Sequence, residues 1–213
     1  MSSTTVIDLH HWSEDFVAIV TKTLAQGAIV AYPTDTIYGL GCDASNLAAV
    51  QSLNALKGRS AGKPMSVLYA SVERVLADFP HLTAFQQKAV RQLLPGPVTL
   101  ILPAPSPCSL AKELIANGWI GVRVIALPVM MPLLQAYPRP ITTTSVNPAG
   151  EVPARSAGEI LSYFAGQISL ILDYGELCSV LPSTVVRISS DSFSIERSGA
   201  VPDEFIQTQL TRL

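Results

Sequence analysis

Residues 29–41 read Ile29-Val30-Ala31-Tyr32-Pro33-Thr34-Asp35-Thr36-Ile37-Tyr38-Gly39-Leu40-Gly41. The run from Ile29 to Tyr32 is apolar, short and closed by a proline, which marks a buried strand rather than a helix. Upstream, Ser13 precedes Glu14 and Asp15, and Phe16, Val17, Val20 and Leu24 recur at helical spacing as far as Gly27. A helix capped by Ser13, with its acids at the positive end of the dipole, therefore feeds the strand. Downstream the strand opens into a loop of hydroxyls, one carboxylate and two glycines. Those groups suit a site at a strand end, and they equally satisfy the hydrogen bonds of a turn.

Working outward, Leu47, Val50, Leu53 and Leu56 share one face of a second helix over residues 47–57, from whose C-terminal end Lys57 and Arg59 emerge. A strand over 65–69 follows. Thr83 with Gln86 forms a capping box for a helix reaching Leu94, which Pro95-Gly96-Pro97 stops. Further strands are expected at 98–102, 121–125, 141–144, 170–172, 184–188 and 194–197. Ser156 and Glu159 make another capping box before 160–164, and Asp203-Glu204 open a last helix after Pro202. Residues 103–110 read as a surface connection. Helices separate only some of the strands, so the fold class is α/β, or α+β by some schemes: a twisted mixed sheet with flanking helices.

Composition agrees. Nearly half of the 213 residues are hydrophobic and 14% are charged, which excludes a disordered chain. One domain over 1–213, with its core at about 13–200, is the expectation. No signal peptide is visible at the start, and no apolar run nears the roughly 20 residues that span a bilayer, so a cytoplasmic protein with no membrane contact is expected. Cys42, Cys108 and Cys178 are far apart and odd in number, which suggests neither disulfides nor zinc. A net charge of −2 argues against a broad nucleic-acid footprint, so any tRNA contact needs a local patch.

Two further constellations carry cations and polar groups. Lys57-Gly58-Arg59 with Lys63-Pro64 can hold phosphate oxygens through an ammonium and a forked guanidinium; it is also what the solvated end of a helix looks like. It is not a P-loop, because the glycine spacing is one short and Pro64 stands where Ser or Thr is required. Thr142-Thr143-Thr144-Ser145-Val146-Asn147-Pro148-Ala149-Gly150 ends an apolar strand in four hydroxyls. Ser145 and Asn147 alternate, so both point to one side of an extended backbone; an Asx-capped turn is the plainer reading. No metal-ligand spacing occurs, His10, His11 and His81 lie outside these loops, and no G-x-S-x-G elbow is present.

In this order the loops resemble the YrdC/Sua5 family, whose hallmark is K-x-R followed much later by S-x-N, here Lys57/Arg59 and Ser145/Asn147. Lys63-Pro64, 95–99, 121–123 and 183–186 extend the likeness over most of the chain. The resemblance implies a basic concave cavity and a nucleotidyltransferase that makes threonylcarbamoyl-AMP and pyrophosphate from L-threonine, bicarbonate and ATP, the ATP carried with Mg2+ and no metal held by the protein. It implies Lys57 and Arg59 as catalytic cations, ATP contacts from Arg59, Lys63, Asn147, Arg155 and Arg197, and a threonine pocket shaped by Thr36, Arg123, Ser145 and Thr184. The product serves tRNA threonylcarbamoyladenosine formation with protein partners that perform the transfer. Against the family pattern, Trp119 replaces a small hydroxyl residue that touches the nucleotide, Leu68 a histidine, Pro148 an aliphatic residue and Arg187 an aspartate. The competing implication is a YciO-like nucleotide or RNA binder. The chain also ends where the short form of the family is expected to end, with no further domain.

Overall fold

In the computed structural model, residues 3–11, 13–58, 65–179 and 181–213 are described. Their strands are β1 (Thr5–Asp8), β2 (Val30–Tyr32), β3 (Gly39–Gly41), β4 (Ser66–Leu68), β5 (Val98–Pro103), β6 (Trp119–Arg123), β7 (Ile141–Ser145), β8 (Leu170–Asp173), β9 (Thr184–Ile188) and β10 (Phe193–Arg197). The helices are α1 (Glu14–Ala25), α2 (Leu47–Leu56), α3 (Val72–Asp78), α4 (Ala84–Leu93), α5 (Met131–Ala136), α6 (Ala157–Phe164) and α7 (Asp203–Thr211). All ten strands form one sheet in the order β1-β8-β2-β3-β7-β4-β6-β5-β9-β10. Parallel and antiparallel pairs alternate irregularly along it, as β2 on β8 and β5 on β9 are parallel while β3 on β7 and β5 on β6 are antiparallel.

The mixed α/β architecture is as expected, with local differences. Ser13 is the N-cap of α1 but makes no side-chain cap bond. Thr83 and Gln86 form the full box at α4. At α6 only half the box exists: Ser156 accepts from the Glu159 N–H, while the Glu159 carboxylate accepts from the N–H of Arg155 instead. The loop expected after Tyr32 contains β3, and β6 begins at Trp119, two residues before the expected start.

Gly41 explains why β3 can exist. A Cβ there would stand 2.1 Å from the carbonyl oxygen of Thr142, so only glycine admits so close a backbone approach. Residues of α2, α3, α4, α6 and α7 pack on one face of the sheet in the main core, with Leu40, Val67, Leu100, Val122 and Val186 beneath them. On the other face α1 and α5 enclose a second core with Val30, Tyr32, Leu68 and Leu172. Strands β6, β5 and β9 turn their remaining side chains to that second face, and there these become the wall of a cavity.

Candidate functional site

The cavity measures about 900 Å3, within the range of small-molecule sites. Its floor follows from strand register. Ser66 on β4 pairs with Thr143 on β7, and Ile101 on β5 pairs with both Gly121 on β6 and Arg187 on β9. A Cβ on Gly121 would meet Ser66 Oγ at 2.7 Å, so that glycine keeps the middle of the floor open. Among the described residues the lining includes Lys57, Arg123, Arg187 and Arg197 and contains no Asp or Glu.

At one end the Lys57 side chain leaves the C-cap of α2 and is only 5% exposed. Its ammonium donates to the backbone carbonyl of Ser145 and, at 3.3 Å, to Asn147 Oδ1. Ser145 Oγ donates to the same Oδ1 at 2.5 Å. Asn147 Nδ2 donates to the carbonyls of Pro148 and Glu151, each at 2.8 Å. Ser145 and Asn147 thus do face one side, as alternation required. Asn147 spends its amide on orienting Lys57 and turning the following loop, and it is not itself a wall of the cavity.

The hydroxyl loop supplies the neighbouring wall. Arg123 Nη2 donates to Asp35 Oδ1 at 2.7 Å and to Thr36 Oγ1 at 3.2 Å. Thr34 Oγ1 lies 3.0 Å from Thr36 Oγ1 and donates to Ile37 O at 2.6 Å, so the Thr36 hydroxyl must direct its proton to Thr34. Thr36 is 1% exposed and acts behind Arg123 rather than at the surface of the cavity. Burial holds the Arg123 pKa below the ordinary guanidinium range, although Asp35 pulls it back up. Its Nε is buried without a partner among the described residues, an unsatisfied donor just behind the cavity wall that Arg123 lines.

The remaining expected residues divide. Arg197 lines the cavity and donates to Ser183 O at 2.8 Å. Gly199 makes this possible, since a Cβ would lie 2.4 Å from Pro182 O. Thr184 does not reach the cavity: it is fully buried on the core side of β9, donating to Val201 O at 2.7 Å and accepting from Val201 N–H at 3.0 Å. Arg155 is also absent from the walls. Its Nη2 meets Glu176 at 3.0 Å, and its Nε and Nη2 each donate to Leu177 O at 3.3 Å, tying two surface segments together. Arg59 and Lys63 lie outside the described residues.

Sequence reasoning gave no role to Asp35, Thr99 or Ser183. Thr99 Oγ1 and Ser183 Oγ are 2.7 Å apart, both buried and both in the lining. All three lie in segments the sequence singled out, the loop after Tyr32, 95–99 and 183–186, and the inward alternation of Thr99 against Val98 and Leu100 marks that residue further.

Comparison with known proteins now decides the family. A family model, Sua5_yciO_yrdC, described as "Telomere recombination", matches residues 22–199. The chain belongs to the Sua5/YciO/YrdC family. A curated threonylcarbamoyl-AMP synthase of Marinobacter nauticus is 38% identical over 174 residues, 81% of this chain and 90% of that protein. The crystal structure of P. abyssi Sua5 complexed with L-threonine superposes with a TM-score of 0.88 at 28% identity over 96% of this chain, which spans 60% of that Sua5. E. coli YciO shares the fold, with a TM-score of 0.81 at 22% identity, covering 95% of this chain and 98% of that one. Within this Sua5/YciO/YrdC fold the two departures Trp119 and Arg187 meet in space, the guanidinium carbon lying 4.8 Å from the centre of the indole ring.

Proposed function

We propose that the chain is an L-threonylcarbamoyladenylate synthase acting as one YrdC-like domain in the cytoplasm, using L-threonine, bicarbonate and Mg2+-bound ATP as substrates. The observation that carries this reading is the Lys57 ammonium, nearly buried and aimed by Ser145 and Asn147 at the end of a cavity whose lining, among the described residues, includes four cations and no carboxylate. Such a cavity favours an anion over any neutral ligand. The curated synthase relatives and the threonine-bound Sua5 support the choice of substrates.

The chemistry needs positioning and charge more than a general base. The threonine amine combines with bicarbonate, losing water, to give a carbamate. A carbamate oxygen attacks the α-phosphorus, the bond to the bridging oxygen of the β-phosphate breaks, and pyrophosphate leaves. Lys57, with Arg59, offsets the charge that grows on the phosphoryl oxygens, which is where preorganised cations act most strongly. The Arg123 guanidinium, which lines the cavity, suits the threonine carboxylate, with Ser145 beside it and Thr36 and Thr184 as supports. Arg197, Lys63, Asn147 and Arg155 are assigned to the nucleotide side, the last two through the segments they hold. The product passes to protein partners that transfer it to tRNA; a chain of net charge −2 would contact tRNA directly only where cations concentrate at the cavity rim.

The test is pyrophosphate release from ATP and bicarbonate with threonine, with serine and with no amino acid. Threonine-dependent release that falls at least 100-fold in Lys57→Ala, on the scale of losing one oxyanion-type donor, is the expected result. Nucleotide binding with no turnover under any condition would replace the synthase by a YciO-like binder.

A further inference from the structure

Arg187 is the last residue of the floor row, and its position is fixed on two sides. One face of its guanidinium lies over the Trp119 ring at 4.8 Å, and its Nε donates to Glu196 Oε1 at 3.1 Å. Glu196 is in turn held by Ser194 Oγ at 2.8 Å and lies outside the cavity lining. The two terminal nitrogens of Arg187 have no partner among the described residues, and the side chain is about one-third exposed, at 34%. On the adjoining strand β10, Arg197 also faces the cavity, with no carboxylate within 4 Å among the described residues and a single protein partner in Ser183. The hydroxyls of Ser183 and Thr99 lie on this same side of the cavity.

Two guanidinium groups, two hydroxyls and no acid on the cavity side are the donor set of an oxyanion with several oxygens. Arg187 is balanced by Glu196 outside the lining, whereas Arg197, an exposed residue, meets no carboxylate among the described residues, so an oxyanion bound here would be its first counter-charge. The indole face is already covered by the guanidinium, so what this end of the cavity offers is unused N–H donors rather than a bare aromatic surface.

We infer that Arg187 is a further nucleotide-binding residue, the second cation of a polyphosphate subsite shared with Arg197, and that Trp119 and Glu196 are its positioning residues. This rests on the reading that the cavity takes ATP and adds which end receives the terminal phosphates: the β9–β10 end, across the floor from Lys57.

Trp119 and Trp12 are the only tryptophans, so Trp12→Phe leaves Trp119 as the sole indole reporter. In that background, emission is followed while inorganic tripolyphosphate, adenosine or ATP is titrated in. Tripolyphosphate and ATP should change Trp119 emission saturably and adenosine should not. Arg187→Gln should weaken tripolyphosphate at least 10-fold while leaving adenosine binding, read by calorimetry, within twofold. Trp119→Leu should weaken tripolyphosphate severalfold, and Trp119→Phe, which keeps a ring under the guanidinium, should restore it. A saturable adenosine signal that Arg187→Gln abolishes, with tripolyphosphate unaffected, would overturn the inference and make the stack a base platform; so would tripolyphosphate binding insensitive to Arg187. Failure of threonine-dependent pyrophosphate release alongside Arg187-dependent tripolyphosphate binding would instead remove the synthase reading and leave the anion subsite standing.

Discussion

Arg123 and Asp35 have side chains 7% and 9% exposed and meet at 2.7 Å, which makes their pair a very different object from a surface salt bridge. Two charges are withdrawn from water, and each is tolerated only because the other is there. Asp35 also accepts the Ala126 N–H at 2.9 Å, so removing its carboxylate strands a backbone donor together with a buried cation. Asp35→Ala should therefore destabilise the protein by about 3–5 kcal/mol in urea denaturation, the usual cost of breaking a buried pair from one side. A loss below about 1 kcal/mol would mean that Arg123 escapes to solvent in the variant. Cys42 makes a quieter case. Burial pushes its thiol up from 9.0 to about 11, so the fold favours the neutral form. Below pH 9 this has no effect on stability, since thiol and fold agree. As pH rises from 9 to 11 the unfolded chain ionises first, and up to about 2–3 kcal/mol of stability is lost, at 1.36 kcal/mol per unit. The pH dependence of the urea midpoint over that interval should be shallower in Cys42→Ala; equal slopes in both proteins would show that Cys42 ionises as freely in the fold as outside it.

The secondary-structure elements differ in how much of their stability is written locally. At α4 the cap is local: Thr83 Oγ1 accepts from the Gln86 N–H, and Gln86 Oε1 accepts from the Thr83 N–H at 3.0 Å. The same hydroxyl donates to Ser190 O at 2.7 Å, and Gln86 Nε2 donates to Ile188 O at 3.1 Å, so the box also fastens α4 to the β9–β10 turn. Thr83→Ala should cost about 1–2 kcal/mol, seen as a fall in melting temperature of a few degrees. An unchanged melting temperature would show the cap to be redundant with the packing of Val90 and Leu93. Such a box is legible in sequence because both partners lie three residues apart. The box at α6 was legible only in part: nothing in Ser156-x-x-Glu159 says that the carboxylate will reach past the cap to Arg155. Strand β3 was invisible because glycine carries no strand preference, and its place is set by Thr142, a hundred residues on. Strand β1, with four residues, and helix α5, with six, are too short for periodicity to declare. For the site, Lys57, Ser145, Arg123 and Arg197 converge as their motifs implied. Asp35 went unassigned because its partner is 88 residues away, and Thr184 looked available because a hydroxyl consumed by Val201 reads the same in sequence as an open one.

The molecule as a whole is joined through β7. That strand pairs with β3 on one side and β4 on the other, so among the described residues it links β1-β8-β2-β3 to β4-β6-β5-β9-β10 in the hydrogen-bonded order. The main core spans this junction, containing Leu40 and Ile171 from one group and Val67, Leu100 and Val186 from the other. The cavity spans it too, with Gly39 and Ser145 at one end and Arg187 and Arg197 at the other. Because the main core is shared across this junction, the two groups are expected to unfold as one cooperative unit rather than two. Urea denaturation followed by Trp119 emission in the Trp12→Phe background, which reports on β6, should coincide with loss of far-ultraviolet dichroism, which reports on every strand and helix. Because the cavity is complete only when both groups are in place, a ligand bound there must stabilise both at once. L-threonine at 100 times its dissociation constant should raise the unfolding free energy by about 2.7 kcal/mol and move both curves together. If instead the Trp119 transition separates from the dichroism, or threonine shifts one and not the other, the sheet is two folding units that share a strand, and the site is assembled by their docking.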